Sequence, residues 1–305
     1  MAPHSQEVTS QARCPDGIGL VLLDLDGTVL RGSSMVSRPV RDALLRCHNA
    51  GIALAVSSGR PYRMVPRVIR RLGAMDYYVC TNGSAVSDGS GRRIFSQGMT
   101  PELALKIMGL VAHLQPGWNA FVNDRGYAEF RNHSYMLGAI SSGDMRSSGV
   151  SLMVFLRFVL SGLTGTGFRD VLSIRRVVSR AKRVDKLGCS FSSSGRADEA
   201  QRILLESGLA EVARMNAREL EITTSGVDKG SGAAWLGRHL GVGKERMVAF
   251  GDGANDLPLT SAIGCFVAMG NADKQVKAQA DDVCPAVSDD GVAQWLNAWL
   301  DEHDL

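Results

Sequence analysis

The stretch 18–28 constrains this chain more than any other. Residues 18–25 are a leucine- and valine-rich run that reads as a buried β-strand, ending in Asp24-Leu25-Asp26-Gly27-Thr28. Two aspartates two residues apart at a strand end repel each other unless a cation or a proton resolves the repulsion. Ligands of open α/β sheets bind beyond the carboxyl ends of the strands, so the pair stands where a site belongs. A hard divalent cation such as Mg²⁺ is the natural partner of clustered oxygen ligands. Taken alone, the pentapeptide reads equally well as a turn with Asp26-Gly27 at its corner.

The following segments set the fold class. Residues 37–50 place Val40, Leu44, Leu45 and Cys47 at helical spacing before Gly51, which predicts a helix with a glycine stop. A second buried strand is predicted over 52–56, a helix over 60–72 with Pro61 in its first turn, and a third strand over 77–80. Strand, helix, strand, helix, strand predicts a parallel sheet with helices on its faces. From 84 to 224 this rhythm is lost. That part shows a hairpin tip at 88–91, loops at 147–149 and 162–167, strands at 120–122, 127–130, 171–178 and 219–223, and a helix at 198–207. The α/β rhythm returns with a helix over 230–240, a strand over 247–250 and a turn leading into a helix from 255. A strand over 265–268 and helices over 272–280 and 291–300 follow. The expectation is one α/β core, 18–83 and 225–305, split by an inserted α+β domain, 84–224, with 1–17 as a loose tail.

Composition excludes several classes. Apolar residues at 45% and charged residues at 21% suit a globular chain, and no apolar run reaches membrane-spanning length. A net charge of +3 is too balanced to argue for nucleic-acid binding. The insertion is net basic and the remainder net acidic, although Arg175, Arg176, Arg180, Lys182 and Arg183 read better as a solvated face than as an anion site. The six cysteines form no C-x-x-C pair, and we expect buried, reduced thiols in a cytoplasmic protein.

Three further segments carry chemistry. Ser57-Ser58-Gly59-Arg60-Pro61 puts a hydroxyl and backbone N–H groups at a helix start, which suits an anion, although an ordinary N-cap serine fits as well. In Gly226-Val227-Asp228-Lys229-Gly230 a lysine opens a helix, where a cation is disfavoured unless an anion is near. Gly251-Asp252-Gly253-Ala254-Asn255-Asp256 adds two carboxylates and an amide at another strand end.

Together and in this order, the four segments resemble the haloacid dehalogenase superfamily of phosphotransferases, in its Cof-like branch with a large C2-type (subfamily IIB) cap. The resemblance covers 18–83 and 226–300. Cys80-Thr81-Asn82-Gly83, Ala268-Met269-Gly270-Asn271-Ala272 and Asp289-Asp290-Gly291-Val292-Ala293 support it, and the cap carries no diagnostic motif. It implies a Rossmann-like parallel-sheet core with an inserted α+β cap. It also implies a Mg²⁺-dependent phosphatase working through an aspartyl-phosphate on Asp24, with Asp26 as general acid and base. Mg²⁺ would sit on Asp24, the Asp26 main-chain carbonyl and Asp252, supported by Asp256 and Asn255. Ser58, Gly27 and Gly59 would hold phosphoryl oxygens, with Asn82 and Asn255 nearby and Lys229 neutralising charge. Ser58 stands where the family more often has threonine, and Gly253 where it often has serine.

The expected substrate is a small phosphorylated metabolite, a sugar phosphate before a nucleotide or cofactor phosphate, with neither nucleic acid nor membrane as partner. A phosphomutase on the same core, or a phosphometabolite-binding regulator without activity, are the alternatives. In the cap, Asn123, Arg125, Glu129, Arg131 and His133 flank a strand and are polar enough to face substrate, although solvent exposure suits each as well. Gly241-Val242-Gly243-Lys244-Glu245 fails as a phosphate loop, because Arg238 replaces its first glycine and Glu245 its hydroxyl residue.

Overall fold

The computed structural model describes residues 15–32, 34–129, 131–132 and 168–305. The chain runs through β1 (Leu20–Leu23), α1 (Arg38–Asn49), β2 (Ala53–Ser57), α2 (Arg67–Arg70), β3 (Tyr77–Cys80), β4 (Ala85–Asp88) and β5 (Arg93–Ser96). Next come α3 (Pro101–Leu110), β6 (Gly117–Val122), β7 (Arg125–Glu129), β8 (Arg169–Val171) and α4 (Ile174–Ser179). They are followed by β9 (Lys186–Ser190), α5 (Ser194–Glu206), β10 (Ala210–Asn216) and β11 (Glu219–Thr224). The last part holds α6 (Lys229–Leu240), β12 (Met247–Gly251), α7 (Leu259–Ala262), β13 (Cys265–Met269), α8 (Lys274–Lys277), β14 (Asp282–Cys284) and α9 (Gly291–Glu302).

Two sheets result. The first has the order β14-β13-β12-β1-β2-β3-β4-β5. Its strands from β14 to β3 are parallel, and β4 and β5 add an antiparallel edge. All four residues of β1 are buried, as are β12 and β13 along their whole length, which is why these strands read as continuous apolar runs. β1 lies between β2 and β12, so the chain leaves it toward one side of the sheet and returns on the other. That reversal opens a crevice at the strand ends. Local signals set the helices. Ser37 caps α1, its Oγ accepting the Val40 N–H at 3.3 Å, and Gly51 with φ 80° lets the chain turn into β2.

The second sheet has the order β10-β11-β9-β6-β7-β8 and is antiparallel except for β7 with β8. Leu187, Cys189, Leu220 and Ile222 pack on one of its faces, in a core of their own with residues of α3, α4 and α5. Lys186, Glu219 and Glu221 alternate with them and take the opposite face.

Several expectations change. The helix over 60–72 is broken: a 3₁₀ turn (Tyr62–Met64) and the short α2 are separated at Pro66, which holds Val65 extended. The strand over 171–178 is β8 followed by α4, with Ile174 and Val178 buried four residues apart on one helix face. The hairpin at 88–91 was placed in the insertion beginning at 84. Its strand β4 instead pairs with β3, and β5 with β4, in the first sheet. The helix from 255 is a 3₁₀ turn (Ala254–Asp256) and then α7, divided by Pro258. Elements α3, β9, β10 and β14 were not anticipated.

Of the tail over 1–17, the described end lies against the body: the Trp299 indole N–H donates to the Pro15 carbonyl at 3.1 Å. Cys47, Cys80, Cys189 and Cys284 are free and buried, whereas Cys265 is disulfide-bonded, against the expectation of reduced thiols throughout. Among the described residues no helix is long and apolar enough to cross a membrane. The expected loops at 147–149 and 162–167, and His133, lie outside the described residues.

Charged contacts tie the sheets together. Arg93 of β5 donates to both Asp185 oxygens, at 2.7 and 2.8 Å, and to Asp124 in the β6–β7 turn at 2.6 Å. Asp185 is 1% exposed, and burial pushes its carboxyl upward while Arg93 pulls it down. Removing the guanidinium leaves a buried carboxylate without its main partner. Arg93→Met is therefore expected to destabilise the fold by about 3 kcal/mol. Urea denaturation measures this, and an unchanged midpoint would remove the ion pair from the account of how the sheets are joined.

Candidate active site

The site forms where β1, β2, β3 and β12 end side by side. Asp24 follows β1 directly, and its N–H donates to the Phe250 carbonyl of β12 at 3.0 Å. Lys229 opens α6. Asp228 caps that helix in a reciprocal pair with Ser231: Asp228 Oδ1 accepts the Ser231 N–H at 2.7 Å, and Ser231 Oγ accepts the Asp228 N–H at 2.9 Å. Gly83 lets α6 approach β3, because a Cβ there would lie 1.9 Å from the Asp228 carbonyl oxygen.

Lys229 is 0% exposed, and its Nζ donates to Asp24 Oδ1 and to Asp256 Oδ1, each at 2.6 Å. Burial alone would lower the ammonium's pKa, but Asp24 and Asp256 outweigh it and hold it above the usual lysine range. Burial pushes the Asp24 carboxyl well above its usual range. Lys229 opposes this, and Asp256, Asp252 and Asp26 add to it. Burial, then Asp256, pushes Asp252 up to about 7. The site therefore carries more negative charge than Lys229 offsets.

That surplus is the chemistry a divalent cation answers. Ligand oxygens of Asp24, Asp252 and Asp256 lie within 4.8 Å of one another. The three are not equivalent. Asp256 gives Oδ1 to Lys229, and its Oδ2 accepts the N–H groups of Asp252 and Gly253, both at 3.1 Å. Asp256 thus orients the turn, leaving Asp24 and Asp252 with oxygens to offer. The donor set, carboxylates in a buried crevice, fits Mg²⁺. Thr28, Thr81 and Asn82, in the loops after β1 and β3, each keep a buried side-chain oxygen with no hydrogen-bond partner.

Asp26 stands apart. Its side chain is 55% exposed and paired with Arg60, whose Nε donates to Oδ2 at 2.8 Å and Nη2 to Oδ1 at 2.5 Å. Its carboxylate therefore does not join the Asp24 cluster. Gly27 has φ 81°, and a Cβ there would lie 2.0 Å from Asp252 Oδ2, so glycine lets the two loops close together.

Ser58 is buried, and its Oγ accepts the Arg60 N–H at 3.2 Å. Asn82, with φ 54°, donates its N–H to the Ser58 carbonyl at 3.1 Å, so the loops after β2 and β3 are joined. The Asn82 amide reaches away from the strand ends to Glu221 Oε2 at 2.7 Å. Gly59 is half-buried next to it. Asn255 is half-buried in the Asp252–Asp256 turn.

Sequence reasoning missed four residues here. Asn271 donates from Nδ2 to the Gly27 carbonyl at 2.8 Å and to Asp252 Oδ2 at 3.1 Å, fixing both. Its signal was present, because it sits in a stretch already noted after β13. Arg60 was likewise visible beside Ser58. Lys186 and Glu221 reach the site from the second sheet, and only Glu221, alternating with Leu220 and Ile222, gave any local hint. The cap residues singled out behave differently. Glu129 Oε1 accepts the Ile174 N–H at 2.7 Å and so caps α4, while Asn123 and Arg131 are exposed. Arg175, Arg176, Arg180, Lys182 and Arg183 are exposed, as a solvated face should be.

Comparison with known proteins agrees with this picture. A family model described as haloacid dehalogenase-like hydrolase matches residues 21–146 and 176–296. The 5-amino-6-(5-phospho-D-ribitylamino)uracil phosphatase YitU of Bacillus subtilis is 29% identical over 92% of this chain and 97% of its own length. The HMP-PP phosphatase of Cronobacter sakazakii is 25% identical over 92% of this chain and 96% of its own. A solved haloacid dehalogenase-like hydrolase from B. subtilis superposes with a TM-score of 0.80 at 22% identity, covering 92% of this chain and 99% of that one.

The charge surplus makes stability depend on pH. Asp252 titrates near 7 in the folded protein and near the ordinary aspartate value when unfolded, so the native state holds the extra proton in between. Metal-free protein should therefore lose stability as pH rises from about 4 to 7. Millimolar Mg²⁺ should flatten that slope by offsetting the ionised carboxylate. Thermal melts across this range with chelator and with Mg²⁺ read both effects, and identical slopes would contradict the cation site.

Proposed function

Because the chain belongs to the haloacid dehalogenase-like hydrolase family, we propose that it is a Mg²⁺-dependent phosphatase that hydrolyses a small phosphorylated metabolite through an aspartyl-phosphate on Asp24. The observation that carries this reading is the buried contact of 2.6 Å between Lys229 Nζ and Asp24 Oδ1. It engages one carboxylate oxygen with a cation and leaves the other to attack phosphorus.

In the first step Asp24 Oδ2 forms a bond to phosphorus as the ester P–O bond breaks. Asp26 gives a proton to the departing oxygen. To do so its carboxyl must turn from Arg60 toward the strand end. In the second step Asp26 takes a proton from water as the water oxygen attacks phosphorus. The acyl-phosphate P–O bond then breaks, releasing phosphate and restoring the Asp24 carboxylate. Ser58 Oγ–H and the N–H groups of Gly27 and Gly59 hold phosphoryl oxygens, with Asn82 and Asn255 at the edges. Lys229 stabilises the charge that gathers on Asp24 and the transferring group. Asp24, Asp252 and the Asp26 main-chain carbonyl, with Asp256 orienting the turn, would hold Mg²⁺, which would supply further positive charge near the transferring group.

Two of the relatives weigh against placing a sugar phosphate first. Although one similar solved structure is described as a sugar phosphatase, these two are named for a phosphorylated ribitylamino-uracil and for HMP-PP. This supports a nucleotide- or cofactor-related phosphate ester first and a sugar phosphate second.

The test is phosphate release from both kinds of ester with Mg²⁺. Wild type should favour the nucleotide- and cofactor-related esters. Asp24→Asn should lose at least about a thousandfold while keeping its fold, and excess chelator should abolish turnover. A preference for sugar phosphates would restore the earlier order. Substantial turnover by Asp24→Asn would end the nucleophile assignment.

A further inference from the structure

Lys186 is the second fully buried lysine of the described chain, and nothing in the proposed mechanism uses it. It begins β9 in the second sheet, is 1% exposed, and lies 4.6 Å from the centre of the Phe121 ring. Its Nζ donates to the Glu221 carboxylate of β11 and, at 2.7 Å, to the carbonyl oxygen of Gly59. Glu221 in turn accepts from the Asn82 amide at 2.7 Å. A pair from the second sheet is thus seated on both loops of the proposed phosphate cradle. A Cβ on Gly59 would meet Asn82 Oδ1 at 3.0 Å, Lys186 Nζ at 3.1 Å and Glu221 Oε2 at 3.2 Å, so the three groups crowd one spot.

The contact with Gly59 has a directional effect. The Ser58 carbonyl is taken by the Asn82 N–H and the Arg60 carbonyl by the Thr81 N–H, both from the first sheet's own loop. The carbonyl between them goes to Lys186. In a trans peptide the carbonyl and the following N–H point in opposite directions. Holding the Gly59 oxygen toward the second sheet therefore turns the Arg60 N–H toward the cradle, where it donates to Ser58 Oγ at 3.2 Å. With an N–H donating into its oxygen, the Ser58 hydroxyl has its own proton to give to a phosphoryl oxygen. Glu221 fixes the neighbouring loop through Asn82.

We infer that the Lys186–Glu221 pair is a positioning device for the phosphate cradle: by holding the Gly59 carbonyl it sets the Ser58 hydroxyl as a donor, so the cradle is complete only when the second sheet is seated on the first. This rests on the reading that Ser58 holds phosphate. Burial lowers the Lys186 ammonium's pKa, and the paired Glu221 carboxylate opposes that shift.

The experiment is calorimetric titration of inorganic phosphate with Mg²⁺ present, on wild type, Lys186→Met, Ser58→Ala and the double variant. Each single change is expected to weaken phosphate binding about tenfold. The double variant should bind no more weakly than either single one, because both remove the same hydrogen bond. Lys186→Arg should recover part of the loss. The pair Lys186→Met with Glu221→Gln leaves no unpaired buried carboxylate and should match Lys186→Met, which separates positioning from folding.

Phosphate binding by Lys186→Met equal to wild type, or losses that multiply in the double variant, would overturn the inference. The expected pattern in a protein that hydrolyses no ester would uphold the inference and sink the proposed function. No phosphate binding by wild type would sink both.

Discussion

The arrangement at the strand ends depends on one buried cation. Lys229 stands at the N-terminus of a helix, the end whose dipole repels it, and it has no water around it. Asp24 and Asp256 make that position tolerable. In doing so they fix three separate chain segments against one another: the end of β1, the start of α6 and the turn after β12. Asp256 passes the constraint on by accepting the N–H groups of Asp252 and Gly253. Asn271 extends it from Asp252 to the Gly27 loop. Few of these contacts would be worth much on the surface. The two at Lys229 are buried, and breaking either leaves a charge without water to replace its partner.

Much of this was legible because it is local. The run before Asp24, the glycine after α1 and the apolar block at 77–80 each carry their own signal within a few residues, and β3 falls where that block predicts it. Errors arose where a local signal was ambiguous. Val171, Val177 and Val178 suggested a strand by their β-branching, while the buried pair Ile174 and Val178 is helical spacing. Pro61 suits the first turn of a helix, whereas Pro66 divides the segment. The motif residues Asp24, Ser58, Lys229 and Asp252 gather at one end of the sheet, as their positions at strand ends imply. The rest was not legible because it is distant. Lys186 is 127 residues from Gly59 and Glu221 is 139 from Asn82, and nothing near either marks the meeting.

Charge sorts the two acidic positions of the first motif into different environments. Asp24 is buried beside a lysine and other carboxylates. Asp26, two residues on, faces outward and is gripped by a guanidinium. The alternation of a strand end accounts for the divergence: neighbours two apart share a face only while the strand continues, and Gly27 turns the chain just after it. In the proposed mechanism the nucleophile needs a fixed position, whereas the group proposed to give and take a proton needs room to move. The two local geometries correspond to those two demands.

The junction between β11 and α6 carries a last consequence. Glu221, which touches the cradle from the second sheet, lies eight residues before Lys229, and the turn between them is held by the Thr223 hydroxyl donating to the Val227 carbonyl. Arg93 secures the other approach through Asp185, the residue before Lys186. The second sheet is therefore spliced into the chemistry at both of its seams and does not behave as an interchangeable lid. A chimera that grafts a relative's cap onto this core must carry the seam residues with it, or the graft will leave Lys229 misaligned.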